Sequence, residues 1–375
     1  MSGGSSSGTD PASAESSTAA ASLASAATMA ADDSASASQS SSILKLGTVL
    51  GDRYRIEARI GAGGMGTVYR AEHVAIHKQV AIKVLAGDWG NRPKLVERFM
   101  QEARAASLVR HPSVVDITDF GHVAEGLPYF VMEYLEGETI GERIAKRGRL
   151  SWAQARPFVL QILGALQAAH EHGVIHRDMK PDNCFIVKDG DGSERVKVLD
   201  FGIAKVIAEG TSQQLTQTGA VMGTAAYMSP EQAQSLELDA RTDLYSVGVV
   251  LFEMLTGRLP FVAQGFLGVL TKHLTEKPPS LRKVAPDAGI SAALERVVLR
   301  LLAKDRNERY ANAAELAAAL RAIDERPAAT RRAWVMPVTV AAVIALGLVG
   351  WRAVERRQQR RADRRAAHEE VAAPV

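Results

Sequence analysis

Four glycines fall within six positions in Gly61-Ala62-Gly63-Gly64-Met65-Gly66, and both flanks of that run read as β-strand. Residues 54–60 before it and 67–72 after it carry the β-branched and aromatic side chains that favour extended backbone. A strand–loop–strand hairpin is therefore expected here, with a tip largely free of Cβ atoms. Such a tip lets backbone N–H groups approach a polyphosphate closely. A GxGxxG run alone also fits a dinucleotide turn or a plain flexible loop. The dinucleotide form runs from a strand into a helix, however, and has an acidic residue about twenty positions on. Thr67-Val68-Tyr69-Arg70 is not helix-like.

Fifteen residues beyond Val68 stands Lys83, in the strand-like Val80-Ala81-Ile82-Lys83. A lone strand lysine is ordinarily a surface residue. Beneath a glycine-rich hairpin it can meet the α- and β-phosphates of ATP, and its flexible stem then needs an anionic partner. Glu102, on a helix expected over 92–108, is the first choice and Glu97 the second. Further on, His176-Arg177-Asp178-Met179-Lys180-Pro181-Asp182-Asn183 follows an apolar helix, and Asp200-Phe201-Gly202 begins seventeen residues after Asn183. Magnesium takes oxygen ligands, and Asn183 and Asp200 supply an amide and a carboxylate. A second carboxylate, Asp178, fits the task of orienting an attacking hydroxyl and accepting its proton.

With these residues in their order, and Ser229-Pro230-Glu231 after them, the chain resembles the eukaryotic-type (Hanks-type) serine/threonine protein kinases that bacteria carry on their membranes. The resemblance covers residues 54–323, expected as one kinase domain. It implies an α+β, bilobal fold with a β-rich N-lobe and a helical C-lobe. It implies ATP and magnesium as cofactors, with manganese as a substitute ion, and serine and threonine hydroxyls of proteins as acceptors in signalling. The nucleotide would be held by Ile60, Gly61, Ala62, Gly63, Gly64, Met65, Gly66, Thr67, Val68, Ala81, Lys83 and Glu102. Met132 would be the gatekeeper, and backbone groups of Glu133 and Leu135 would bond the adenine. Lys180, two residues after Asp178, would neutralise the transferring phosphoryl group, and Asp178, Lys180 and Lys83 form the expected catalytic set. Lys180 and Thr224 match serine/threonine rather than tyrosine specificity. Asp243 resembles the aspartate that braces the catalytic loop, and Arg309 the arginine that pairs with Glu231. Ser229 replaces the family's usual alanine. Thr216 and Thr218 are expected phosphorylation sites, with Arg177 as the phosphate's partner and dimerisation as a route to autophosphorylation. A pseudokinase scaffold would be favoured by replacement of Lys83, Asp178, Asn183 or Asp200, and none is replaced. A small-molecule kinase would not need the protein-docking platform between Asp200 and Glu231.

Outside that region the composition changes. Residues 1–45 are rich in serine, alanine and glycine, bury too little apolar area to offset ordering, and are expected as a disordered tail. They lack the basic and apolar segments of a secretory signal. One cysteine excludes an internal disulfide, in keeping with a reducing cytosol. A net charge of +3 gives no ground for nucleic-acid binding. After a linker at 324–332, residues 333–351 contain no charged side chain and have Trp334 and Trp351 near their ends. Nineteen helical residues span roughly 28 Å, close to a bilayer core. A single membrane-spanning helix is expected, placing the kinase at the cell membrane with its domain in the cytoplasm. The Arg-rich tail at 352–375 is the more basic flank, so charge alone would place that side inside. A re-entrant or peripheral anchor therefore remains open beside the span.

Overall fold

The computed structural model describes residues 44–63, 66–85, 96–97, 100, 103–104, 106–123, 126–201, 225–323, 351–352, 354–357 and 359. Within the unit Met1–Glu325, six antiparallel strands come first: β1 (Val49–Leu50), β2 (Tyr54–Gly63), β3 (Gly66–His73), β4 (Lys78–Leu85), β5 (Ile117–His122) and β6 (Pro128–Glu133). Their order is β1-β2-β3-β4-β6-β5. Alternation along the strands sorts side chains onto two faces. Val80, Ile82 and Val84 of β4 join Tyr129 and Val131 of β6 in an apolar cluster on one face. Leu85 and Phe130 belong to the large core shared with the helical part. Lys83 pairs in register with Phe130 and Ala81 with Met132. The strand pleat thus turns Ala81 and Lys83 away from the first cluster.

The sheet begins earlier than expected. Leu50 is buried in the first cluster, Leu44 packs against it, and the Leu44 N–H donates to the Tyr69 hydroxyl at 3.0 Å. Leu44 and Lys45 therefore belong to the folded unit and not to the tail. A two-residue strand has too little periodicity to be read from sequence. β5 was hidden by Asp119 and Gly121, residues with low strand propensity. The helix expected over 92–108 is helical at its described residues 96–97, 100, 103–104 and 106–107.

The second part is helical around a small antiparallel sheet of β7 (Gly137–Thr139), β8 (Cys184–Lys188) and β9 (Glu194–Val198). Its helices are α1 (Ile140–Arg147), α2 (Trp152–Glu171), α3 (Pro230–Ala233), α4 (Arg241–Thr256), α5 (Gly265–Thr275), α6 (Leu281–Val284), α7 (Ala292–Leu301) and α8 (Ala313–Arg321). Thr139 caps α1 and Ser151 caps α2, each with a reciprocal bond from the residue three positions on. Buried residues run all round α4, which makes it the central helix of this lobe. It stops at Gly257, at φ 70, where a Cβ would collide with the Gly148 carbonyl.

The unit Arg326–Val375 is separate. Its described residues, 351–352, 354–357 and 359, are helical, with Trp351 and Val354 exposed. Among the described residues no helix is long and apolar enough to cross a membrane. The expected span at 333–351 lies outside them except for Trp351, as do residues 1–43 of the tail and the 324–332 linker.

One buried histidine makes the lobe sensitive to acid. His273 of α5 is fully buried. Its Nδ1 lies 2.8 Å from the Tyr245 hydroxyl, and its ring packs edge-on against Phe261. Burial, reinforced by the Lys304 charge, pushes its pKa from 6.5 down to about 4. The unfolded chain then binds a proton that the native state refuses, so stability is present above pH 6.5 and is lost as pH falls toward 4. Between pH 7 and pH 5 the loss is about 2 kcal/mol. Thermal unfolding of the wild type is expected to shift down by about 4 °C or more over that interval. In His273→Gln the shift shrinks. An equal shift in both proteins would contradict this origin.

Candidate active site

The site is organised from α4 outward. Asp243, in the first turn of α4, is fully buried. Its Oδ2 accepts the His176 N–H at 2.8 Å and lies 2.7 Å from His170 Nε2, while Oδ1 accepts the Arg177 N–H at 2.8 Å. Burial alone would raise this carboxyl, but the His170 hydrogen bond and charge, then His176, hold it below the usual carboxylate range. The loop so held bends sharply. Arg177 sits at φ 63, a left-handed conformation that costs a non-glycine residue about 1–2 kcal/mol.

Just beyond the bend, Asp178 is buried, with its Oδ2 3.2 Å from Lys180 Nζ and 3.1 Å from Asn183 Nδ2. Asn183 Nδ2 also donates to the Asp178 carbonyl at 2.7 Å. Burial pulls Lys180 down, yet Asp178, with Asp182 and Asp200, outweighs it and holds the ammonium above its ordinary value.

The β8–β9 register brings the next segment alongside. Cys184 pairs with Val198, so the Leu199 N–H donates to the Asn183 carbonyl at 2.9 Å and Asp200 follows directly. His176 Nε2 lies 2.8 Å from the Leu199 carbonyl, and its ring rests 4.7 Å from that of Phe201. Asp200, at φ 52, meets Lys83 Nζ at 2.7 Å through Oδ2. Burial raises the Asp200 carboxyl, and Lys83, then Lys180 and His176, bring it below the usual range. Among the described residues, the carboxylate that Lys83 meets is Asp200. The expected partner Glu102 lies outside the described residues, and Glu97, the alternative, is exposed.

Above these residues β2 and β3 close a tight hairpin, pairing Gly61 with Val68, Ala62 with Thr67 and Gly63 with Gly66. Gly64 and Met65, at its tip, lie outside the described residues. At Gly66 a Cβ would strike the Val84 carbonyl of β4, so this glycine is demanded by strand packing. Ile60, Ala81 and Leu135 are buried and Met132 is half-buried. The Glu133 side chain bridges its own sheet and the other lobe: Oε1 accepts the N–H of Asp116, just before β5, at 2.8 Å and meets Lys197 Nζ of β9 at 2.6 Å. That contact was not legible in sequence, because Lys197 lies in a different sheet. Below the site, Arg309 forks onto Glu231 at 2.7 and 2.9 Å, fully buried. Gly202, Thr216, Thr218 and Thr224 fall outside the described residues.

A site of this kind can hold a polyanion with Lys83 and present the Asp178 carboxylate, flanked by Lys180, to an acceptor hydroxyl. Comparison with known proteins points the same way. A family model described as the protein kinase domain matches residues 54–320. The serine/threonine-protein kinase Pkn3 of Myxococcus xanthus is 43% identical over 281 residues, covering 75% of this chain and 51% of that relative. PknB of Mycobacterium leprae is 44% identical over 276 residues, covering 72% of this chain and 43% of that relative. The chain thus spans about half or less of these curated relatives. The crystal structure of the PknI kinase domain of Mycobacterium tuberculosis matches with a TM-score of 0.59 at 26% identity, over 74% of this chain and 99% of that one.

Proposed function

The chain belongs to the protein kinase family, and from that premise we propose that it transfers the γ-phosphoryl group of ATP to serine and threonine hydroxyls of proteins in signal transduction. The observation that carries this reading is the convergence of two carboxylates and two lysines from both lobes, Lys83 on Asp200 and Lys180 on Asp178. In it, Lys83 grips the α- and β-phosphates below the glycine hairpin, and Ala81, Met132, Glu133 and Leu135 frame the adenine. Asp178 orients the acceptor hydroxyl and takes its proton, while Lys180 offsets charge on the phosphoryl group in flight. Asn183 and Asp200 fit a hard cation. Asn183 turns its amide nitrogen to Asp178, which leaves its carbonyl oxygen as the ligating group, and Asp200 is held ionised. Magnesium supplies charge neutralisation along the phosphates when bound.

The Ser/Thr preference rests on Lys180. Thr216 and Thr218 are the proposed autophosphorylation sites, because a phosphate there adds about −1.5 to −2 charges within the activation segment for Arg177 to receive. Contact between two copies would carry that reaction. We also propose that residues 333–351 anchor the protein at the cell membrane, supported by their uncharged length and flanking tryptophans.

Two experiments test this. Purified protein is incubated with labelled ATP, magnesium and a protein mixture, and phosphorylated residues are mapped. Wild-type protein is expected to label serine and threonine, including Thr216 or Thr218. Lys83→Met removes most activity; Asp178→Asn keeps nucleotide binding but loses kcat by about 100-fold or more; Asp200→Asn also weakens magnesium-dependent binding. Full turnover in Lys83→Met, or matching defects in the two aspartate variants, contradicts the roles. Separately, deletion of 333–375 is expected to move the kinase from washed membranes to the soluble fraction with activity kept. Recovery in membranes contradicts the anchor.

A further inference from the structure

The short helix α3 reaches the catalytic loop at its sharpest bend. Ser229 caps α3: its hydroxyl accepts the Gln232 N–H at 3.2 Å, and Gln232 Oε1 accepts the Ser229 N–H at 3.0 Å. This reciprocal pair fixes the plane of the Gln232 side-chain amide and turns its Nε2 to the Arg177 carbonyl, 2.8 Å away. The opposite amide orientation would set N–H against N–H at Ser229 and oxygen against oxygen at Arg177. Arg177 is therefore anchored at both of its peptide groups, its N–H by Asp243 and its C=O by Gln232. The Arg177 carbonyl and the Asp178 N–H belong to one planar peptide unit. Rotation of that unit would carry Asp178 away from Lys180 and Asn183. The alanine usual in the family at position 229 has no hydroxyl for this cap.

We propose that Gln232 is a positioning residue for phosphoryl transfer, holding the Asp178 carboxylate in place through the Arg177–Asp178 peptide, with Ser229 presetting its side chain. The proposal rests on Asp178 being the hydroxyl-orienting carboxylate. Gln232 acts through the loop. A residue that merely stabilised α3 would affect melting temperature without a specific demand for a hydrogen-bond donor at Nε2.

The test uses Gln232→Glu, Gln232→Leu and Ser229→Ala in the full chain. Gln232→Glu keeps an acceptor for Ser229 and replaces the donor facing Arg177 by an oxygen. At pH 7.5 it is expected to lower kcat about tenfold, with KM for ATP changed by less than about twofold. Amide hydrogen exchange in the peptide covering 174–183 is expected to become about tenfold faster. As the pH is lowered toward 5.5, protonation of the introduced carboxyl restores an O–H donor, and kcat relative to wild type recovers severalfold. Gln232→Leu loses kcat equally at every pH. Ser229→Ala, which removes the cap alone, loses less than about threefold. The proposal is overturned if Gln232→Glu matches wild type in kcat and exchange, or if its loss shows no more recovery in acid than that of Gln232→Leu. Absence of phosphoryl transfer by the wild type would refute the kinase reading instead; the exchange measurement then decides alone whether Gln232 holds the loop.

Discussion

The arrangement depends on one buried carboxylate. Asp243 takes two consecutive main-chain N–H groups, those of His176 and Arg177, and stands against His170. A charge without solvent is costly unless its lone pairs are filled, and here three donors converge on it. The same bonds impose the shape of the loop that carries Asp178, because Arg177 does not otherwise favour φ 63. Asp178, Lys180 and Asn183 come together only because that bend is held.

From this anchor the geometry reaches the first sheet by two short links. The β8–β9 register sets Asp200 beside Asn183, and Asp200 meets Lys83 across from β4. The pleat of β4 decides the second link: a one-residue slip in its pairing with β6 would turn Lys83 into the apolar cluster of Val80, Ile82 and Val84. Glu133 adds a second tie between the lobes, to Lys197 of β9. The helical lobe closes on itself through the buried Glu231–Arg309 fork, a pair whose separation would leave an uncompensated charge.

Much of this was legible in the sequence because the chemistry is carried by short segments at fixed spacing. Lys83, Asp178, Asn183 and Asp200 stood out from their motifs, and long periodic helices such as α2 and α4 from their apolar pattern. What escaped lacks a local signal. β1 is two residues long, and its role comes from Leu50 packing against a sheet formed later in the chain. β5 carries Asp119, whose carboxylate accepts from the Tyr54 hydroxyl at 2.8 Å, a tertiary contact that spacing does not announce. The contact of Lys83 with Asp200 has no signal in the spacing, because the two residues lie in different lobes; the expected partner Glu102 lies outside the described residues. Ser229 read as a mild departure from alanine, and only the structure shows its hydroxyl engaged with Gln232.

The central claim is that a single buried carboxylate shapes the loop proposed to carry out phosphoryl transfer. Asp243→Asn tests it most directly, since the amide keeps the size but sets an NH2 group against one of the N–H donors it must accept. Steady-state phosphoryl transfer is measured beside the wild type, at a temperature where circular dichroism shows both proteins folded. The account predicts that kcat falls by about 100-fold while ATP binding, which draws on Lys83 and the hairpin, stays within about threefold of wild type. Turnover within twofold of the wild type would contradict it.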